Sequence, residues 1–122
     1  MPSQTVAILG ASNNPERFAH KALVMLQEHG HTVIPVNPAL EDIDGVPVVR
    51  SLTEVPPVVD TLTLYVGSAR LPAMKEEIVQ LRPGRVVFNP GTESPEVQAA
   101  LDAAGIPWVE DCTLVMLRAG RF

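Results

Sequence analysis

Five short runs of apolar, mostly β-branched residues punctuate this chain, and three of the four gaps between them carry a helical stripe. The runs are Thr5–Leu9 (TVAIL), Thr32–Val36 (TVIPV), Thr61–Val66 (TLTLYV), Arg85–Phe88 (RVVF) and Ile106–Val109 (IPWV). A short run that is apolar almost throughout has no solvent face, so each reads as a strand covered on both sides. The stripes are Phe18, Ala22, Met25 and Leu26, then Leu71, Met74, Ile78 and Leu81, then Val97, Ala100, Leu101 and Ala104. Their spacing places each set on one face of a helix. Strands separated by helices require right-handed crossovers and therefore a parallel sheet. The expectation is an α/β chain: one Rossmann-like, doubly wound domain over residues 1–122, with a five-stranded parallel sheet. Counting the runs as they occur, the expected strand order is 3-2-1-4-5.

Local punctuation sharpens the boundaries. Asn14-Pro15 offers a cap and a proline at the first helical position, so the first helix begins between Pro15 and Ala19 and stops at Gly30. Ser94-Pro95-Glu96 starts a later helix in the same way, and Gly105 ends it. Between Pro38 and Pro57 the chain reads as an irregular insertion, with a turn at Asp44-Gly45, a short extended piece at Val46–Val49 and a capping box from Ser51 to Glu54. Pro35 makes an interior position awkward for the second strand. Cys112 to Leu117 fits a short helix capped by Asp111 better than a last strand.

At 122 residues the chain can bury one core but not two. Its formal net charge of −5 offers nothing global to nucleic acid or to an anionic membrane. No apolar run approaches the roughly 20 residues that span a bilayer, and the N-terminal residues have no signal-peptide pattern. Cys112 is the only cysteine, which excludes an internal disulfide. A cytoplasmic protein is expected.

In a doubly wound sheet, ligands sit outside the carboxyl ends of the strands. Those ends carry Gly10-Ala11-Ser12-Asn13-Asn14, Asn37-Pro38, Val66-Gly67, Asn89-Pro90-Gly91-Thr92 and Asp111-Cys112. Most are small or hydrogen-bonding residues that allow a ligand close to the backbone. The first loop leads into a helix N-terminus, whose free amides and positive dipole end favour an anion. Ser12, Asn13 and Asn14 add polar side chains, and Arg17 and Lys21 lie four residues apart on the entering helix. A solvated helix face is the alternative reading of those two cations. The loop is not the dinucleotide fingerprint, because Ser12 stands where a second glycine belongs and Pro15 where the third does. The second strand ends in Asn37 rather than in the carboxylate that receives the ribose hydroxyls of NAD.

These residues carry a resemblance. VAILGASNNPER, HGHTVIPVNP, IDGVPVVRSLTEVP and VDTLTLYV together resemble the small stand-alone CoA-binding domain proteins of bacteria. Those proteins are similar to the N-terminal nucleotide-binding domain of the succinyl-CoA synthetase alpha subunit and of ADP-forming acyl-CoA synthetases. The resemblance implies coenzyme A or an acyl-CoA as the ligand. It places Gly10, Ser12 and Arg17 at phosphates and Asn37 and Pro38 near the adenosine end, while Ala11, Asn13, Asn14 and Lys21 join the candidate binding residues from the reading of the loop and helix itself. Val66, Gly67, Gly91 and Thr92 would then run along the ligand, with Asn89 and Pro90 as further candidates from their place at the end of the fourth strand. The sequence departs from much of the family at Asn89-Pro90-Gly91-Thr92-Glu93. The ligases' second domain, with its phosphorylated histidine, has no counterpart in these residues, so the resemblance does not imply ligase activity.

Catalytic constellations are thin. His20, His29 and His31 are not matched with a nucleophile, and no cluster has metal-ligand spacing. The expected function is non-catalytic binding of coenzyme A. Binding of NAD or another nucleotide by a regulatory protein is the alternative, and a small acyl-CoA-related enzyme the third reading. Cys112 follows the fifth strand and so is expected either to pack as a small hydrophobe or to meet the ligand thiol.

Overall fold

The computed structural model describes residues 2–122. Its elements are β1 (Thr5–Leu9), α1 (Phe18–Glu28), β2 (Thr32–Val36), β3 (Asp42–Ile43), β4 (Val46–Pro47), β5 (Thr61–Leu64), α2 (Lys75–Leu81), β6 (Arg85–Phe88), α3 (Pro95–Ala104), β7 (Trp108–Glu110) and α4 (Thr113–Arg118). Short 3₁₀ turns occupy Leu52–Glu54 and Leu71–Met74, and the second takes up Pro72 before α2 begins. No helix among the described residues is long and apolar enough to cross a membrane.

All the long strands pair in parallel, in the order β2-β1-β5-β6-β7. The α/β class and the five-stranded parallel sheet are as expected, but the strand order is not. In the numbering of the five apolar runs it is 2-1-3-4-5, where 3-2-1-4-5 was expected. The reason lies at the outer edge of β2. There Val49 forms a single parallel bridge with Val36, its amide bonding to the Pro35 carbonyl (3.0 Å) and its carbonyl accepting from the Asn37 amide (3.0 Å). That edge is therefore taken, and Pro35, which has no N–H, limits what else could pair there. β5 joins the free side of β1 instead, with Val6 opposite Thr61 and Leu9 opposite Leu64.

The segment expected to be an irregular insertion holds a small hairpin. Ile43 pairs with Val46 across Asp44-Gly45, and both turn residues have positive φ (52° and 82°). That is the geometry of the two-residue turn that Asp-Gly favours.

Alternate residues of the strands pack on the two faces of the five-stranded sheet. Leu9, Leu62, Leu64, Val86 and Phe88 pack with Ile78 of α2 and with Val97 and Leu101 of α3. Val6, Ile8, Val33 and Val87 pack with Leu23 and Leu26 of α1 and with Met116 and Leu117 of α4. Thus α1 and α4 cover one face and α2 and α3 the other. The chain leaves β1 over one face toward β2 and leaves β5 over the opposite face toward β6. Strand order therefore reverses between β1 and β5, and the two departing loops open a crevice there.

Candidate functional site

A cleft of about 640 Å³ lies at this reversal point, a volume within the roughly 300–1,000 Å³ usual for small-molecule sites. Gly10, Ala11 and Ser12 form one part of its wall, Asn37 and Pro38 another, and Tyr65 and Val66 a third. Arg17, Phe18 and Ala19 enter from the start of α1, and Arg50, Arg70, Met74 and Glu77 complete the rim.

Gly10 makes the corner possible. Its φ is 87°, and a Cβ there would stand 3.0 Å from the carbonyl carbon and oxygen of Tyr65. The β1 loop can lie this close to the β5 loop only without a side chain. The Gly10 and Ala11 amides are already spent, both donating to the Val36 carbonyl (3.2 and 3.1 Å). They hold the loop in place and are not free donors.

The following residues fold on themselves. Ser12 Oγ accepts from the Asn14 amide and Asn14 Oδ1 from the Glu16 amide, each at 3.0 Å. The Arg17 amide closes the turn on the Asn14 carbonyl at 3.0 Å. Asn14 is therefore not the helix cap, nor Pro15 the first helical residue. Arg17 takes the cap position in an extended conformation, and no side chain caps α1. The first amides of α1 stay uncapped beside the cleft, which is where the dipole argument needs them.

The cations do not gather as the sequence suggested. Lys21 does not line the cleft; its Nζ lies 5.4 Å from the centroid of the Phe18 ring. Arg50 and Arg70, which sequence reasoning did not single out, line it with Arg17. No local signal marks them, since Arg50 lies within the irregular insertion and Arg70 precedes a 3₁₀ turn. Among the described residues, Lys75, Arg82, Arg85 and Arg121 each hold a side-chain or carbonyl partner. Arg17, Arg50 and Arg70 hold none, nor does Arg118 away from the cleft, and among the described residues Glu77 is the one carboxylate on the cleft wall.

The β6 loop takes a different part. Asn89 is buried, its Nδ2 donating to Thr63 Oγ1 (2.7 Å) and the Leu64 carbonyl (2.9 Å) while its Oδ1 accepts from the Thr113 amide (2.9 Å). Thr92 is buried and donates to the Asn89 carbonyl at 2.8 Å. The Gly91 carbonyl accepts from both the amide and the hydroxyl of Ser68 (3.2 and 3.0 Å). Asn89, Pro90, Gly91, Thr92 and Gly67 do not line the cleft; the β6 loop braces the β5 loop, whose Tyr65 and Val66 do. Asn13 and Asn14 also lie off its wall.

Tyr65 stands where β5 ends. Burial pushes its phenol up to about 12, so it stays protonated. The hydroxyl is enclosed without a well-formed hydrogen bond, beside Thr63 and Thr113, whose own hydroxyls pair at 2.7 Å. Cys112 is half-buried at the cap of α4 and does not line the cleft, and α4 is a helix as expected. Its amide donates to Asp111 Oδ1 at 2.7 Å. Arg121 pairs with Asp111 and holds that carboxyl below the usual carboxylate range. Cys112, not Asp111, therefore occupies the cap position. Among the described residues no group of His, Cys, Asp or Glu is placed to hold a metal ion.

Comparison with known proteins decides the family. The profile of the CoA binding domain matches residues 4–118, nearly the whole chain. The chain belongs to the CoA binding domain family. It is 33% identical over 78 residues to the uncharacterized protein YneT of Bacillus subtilis, covering 64% of this chain and 58% of that one. It is 36% identical over 62 residues to the acetate–CoA ligase (ADP-forming) II subunit alpha of Pyrococcus furiosus, covering 50% of this chain and 14% of the subunit. The chain thus spans less than two thirds of either curated relative. A solved structure from Thermus thermophilus, cell-free ID.343, superposes with a TM-score of 0.89 at 36% identity, covering 98% of this chain and 91% of that one. The dinucleotide-forming acetyl-coenzyme A synthetase 1 of Ca. Korarchaeum cryptofilum shares the fold over 25% of its length, with a TM-score of 0.74 at 20% identity.

Proposed function

We propose that this chain binds coenzyme A or an acyl-CoA in the cleft between the β1, β2 and β5 loops, and that it does so without catalysing a reaction. The observation that carries the reading is the convergence of Arg17, Arg50 and Arg70. In a chain of net charge −5, three arginines without internal partners share one cleft with a single carboxylate. An anion of several charges supplies what they lack, and guanidinium forks suit phosphate oxygens. The uncapped start of α1 adds backbone donors at the same corner. Membership of the CoA binding domain family supports coenzyme A among such anions. The cleft wall offers no nucleophile paired with a base, which favours a binding role.

Calorimetric titration with CoA tests the reading, with Arg17→Glu and Lys21→Ala as variants. The wild type binds, Arg17→Glu loses binding while keeping its circular dichroism spectrum, and Lys21→Ala stays within about twofold. A charge off the cleft wall, screened over about 8 Å, contributes little to affinity. A wild type that gives no heat and no thermal stabilisation with CoA would overturn the proposal. Unchanged affinity in Arg17→Glu would remove that residue from the site.

A further inference from the structure

We infer that Arg50 reads a phosphate monoester on the ribose of the bound nucleotide, so that the β2 end of the cleft selects phosphorylated over unphosphorylated ribose. The inference rests on the reading that the cleft holds a nucleotide, and it starts from what stands at the end of β2.

In doubly wound sheets that position receives the ribose. A carboxylate there accepts its vicinal hydroxyls, and an arginine nearby takes a phosphate instead. Here the residue is Asn37, and its side chain holds both neighbouring loops. Nδ2 donates to the Ala11 carbonyl at 2.8 Å, and Oδ1 accepts from the Ala39 amide at 2.7 Å. Asn37 ties the β2 loop to the β1 loop, and its neutral amide replaces the carboxylate that would accept two vicinal hydroxyls. Glu77, the one carboxylate on the wall, comes from α2, which follows β5 on the far side of the reversal point.

The backbone brings Arg50 to this place. The Val36–Val49 bridge and the bond from the Asn37 amide to the Val49 carbonyl (3.0 Å) run the chain alongside the end of β2. Arg50 is the next residue. It is exposed, it lines the cleft with Asn37 and Pro38, and it makes no ion pair or side-chain hydrogen bond among the described residues. Replacing an acceptor by a bidentate donor inverts the preference of the site. Vicinal hydroxyls find no carboxylate, whereas a dianionic monoester finds a guanidinium fork. A 3′-phosphate, as in CoA, and a 2′-phosphate both present this chemistry.

The test titrates wild type, Arg50→Gln and Arg50→Lys with CoA and dephospho-CoA, and separately with 3′,5′-ADP and 2′,5′-ADP. Wild type binds CoA about tenfold or more tightly than dephospho-CoA, the size expected for one charge-assisted pair. Arg50→Gln brings CoA down to the dephospho-CoA level and leaves dephospho-CoA within about twofold. Arg50→Lys falls between them, and the unliganded melting temperatures of all three agree. A loss shared equally by CoA and dephospho-CoA, or no loss in either, overturns the inference while the CoA reading stands. If the Arg50-dependent gain occurs only with 2′,5′-ADP, Arg50 is a ribose-phosphate reader but the CoA reading falls. If wild type binds none of the four ligands, both fall.

Discussion

Replacing Gly10 by alanine separates two effects of a side chain at the β1 corner, its backbone conformation and its contact with β5. Gly10 has a φ of 87° and Gly30 a φ of 83°, so the conformational term is nearly common to both. For an L-residue in the left-handed region it is about 1–2 kcal/mol. The surroundings differ. A Cβ at Gly30 meets nothing within 4 Å, whereas one at Gly10 stands 3.0 Å from the Tyr65 carbonyl carbon and oxygen and from Val66 Cγ2. The backbone atoms cannot swing aside, because the Tyr65 amide holds the Leu9 carbonyl at 2.8 Å at the end of the β1–β5 ladder. Overpacking of this kind costs about 1–3 kcal/mol. For a chain of this length, 1 kcal/mol lowers the melting temperature by about 4 °C. Gly30→Ala is therefore expected to melt about 4–8 °C below wild type, and Gly10→Ala about 8–20 °C below. Thermal and urea melts followed by circular dichroism measure both. If the two variants melt within about 2 °C of each other, the close approach of the β1 and β5 loops is not what requires glycine at position 10.

Two further predictions concern buried polar residues that do not line the cleft. Asn89→Ala removes three buried hydrogen bonds and leaves the Thr113 amide and the Leu64 carbonyl without this partner. It is expected to destabilise by about 2–4 kcal/mol in urea unfolding, and a loss under about 0.5 kcal/mol would show the bracing role to be wrong. His31 is buried beneath the sheet with Nδ1 accepting from the Gln4 amide, and desolvation, then the neighbouring charge of His29, holds its pKa below the ordinary value of 6.5. The unfolded chain then takes up this proton more readily, so stability conferred by neutral His31 is full above 6.5 and declines as pH falls through that value toward the lower folded one. His31→Gln is expected to flatten the slope of unfolding free energy between pH 7 and 5, and an unchanged slope would assign the dependence to other groups.

The fold was legible because local spacing reports which faces of each segment are covered. TVAIL, TLTLYV and RVVF have no solvent face, and Leu71, Met74, Ile78 and Leu81 share one, whatever their neighbours are. Boundaries slipped where a second interaction competed for the cap. Asn14 looked like a helix cap because Pro15 follows it, but its side chain closes a turn on Glu16 and leaves Arg17 to begin α1. The same limit applies to Asn89, whose place after a strand suggested a ligand contact. Burial directs its amide inward to Thr63 and Thr113 instead.

From its residues alone, then, the chain specified one α/β domain, five parallel strands, its four helices and a glycine corner after the first strand. Each of these depends on periodicity and backbone freedom within a few neighbouring residues. Tertiary structure decided that β5 joins β1 rather than β2, because Val49 already occupies the outer edge of β2. It also decided that Arg50 and Arg70, not Lys21, stand with Arg17 around the cleft. Residues 33 and 53 positions away from Arg17 meet it only once the sheet has set where three loops end, and no local pattern carries that information.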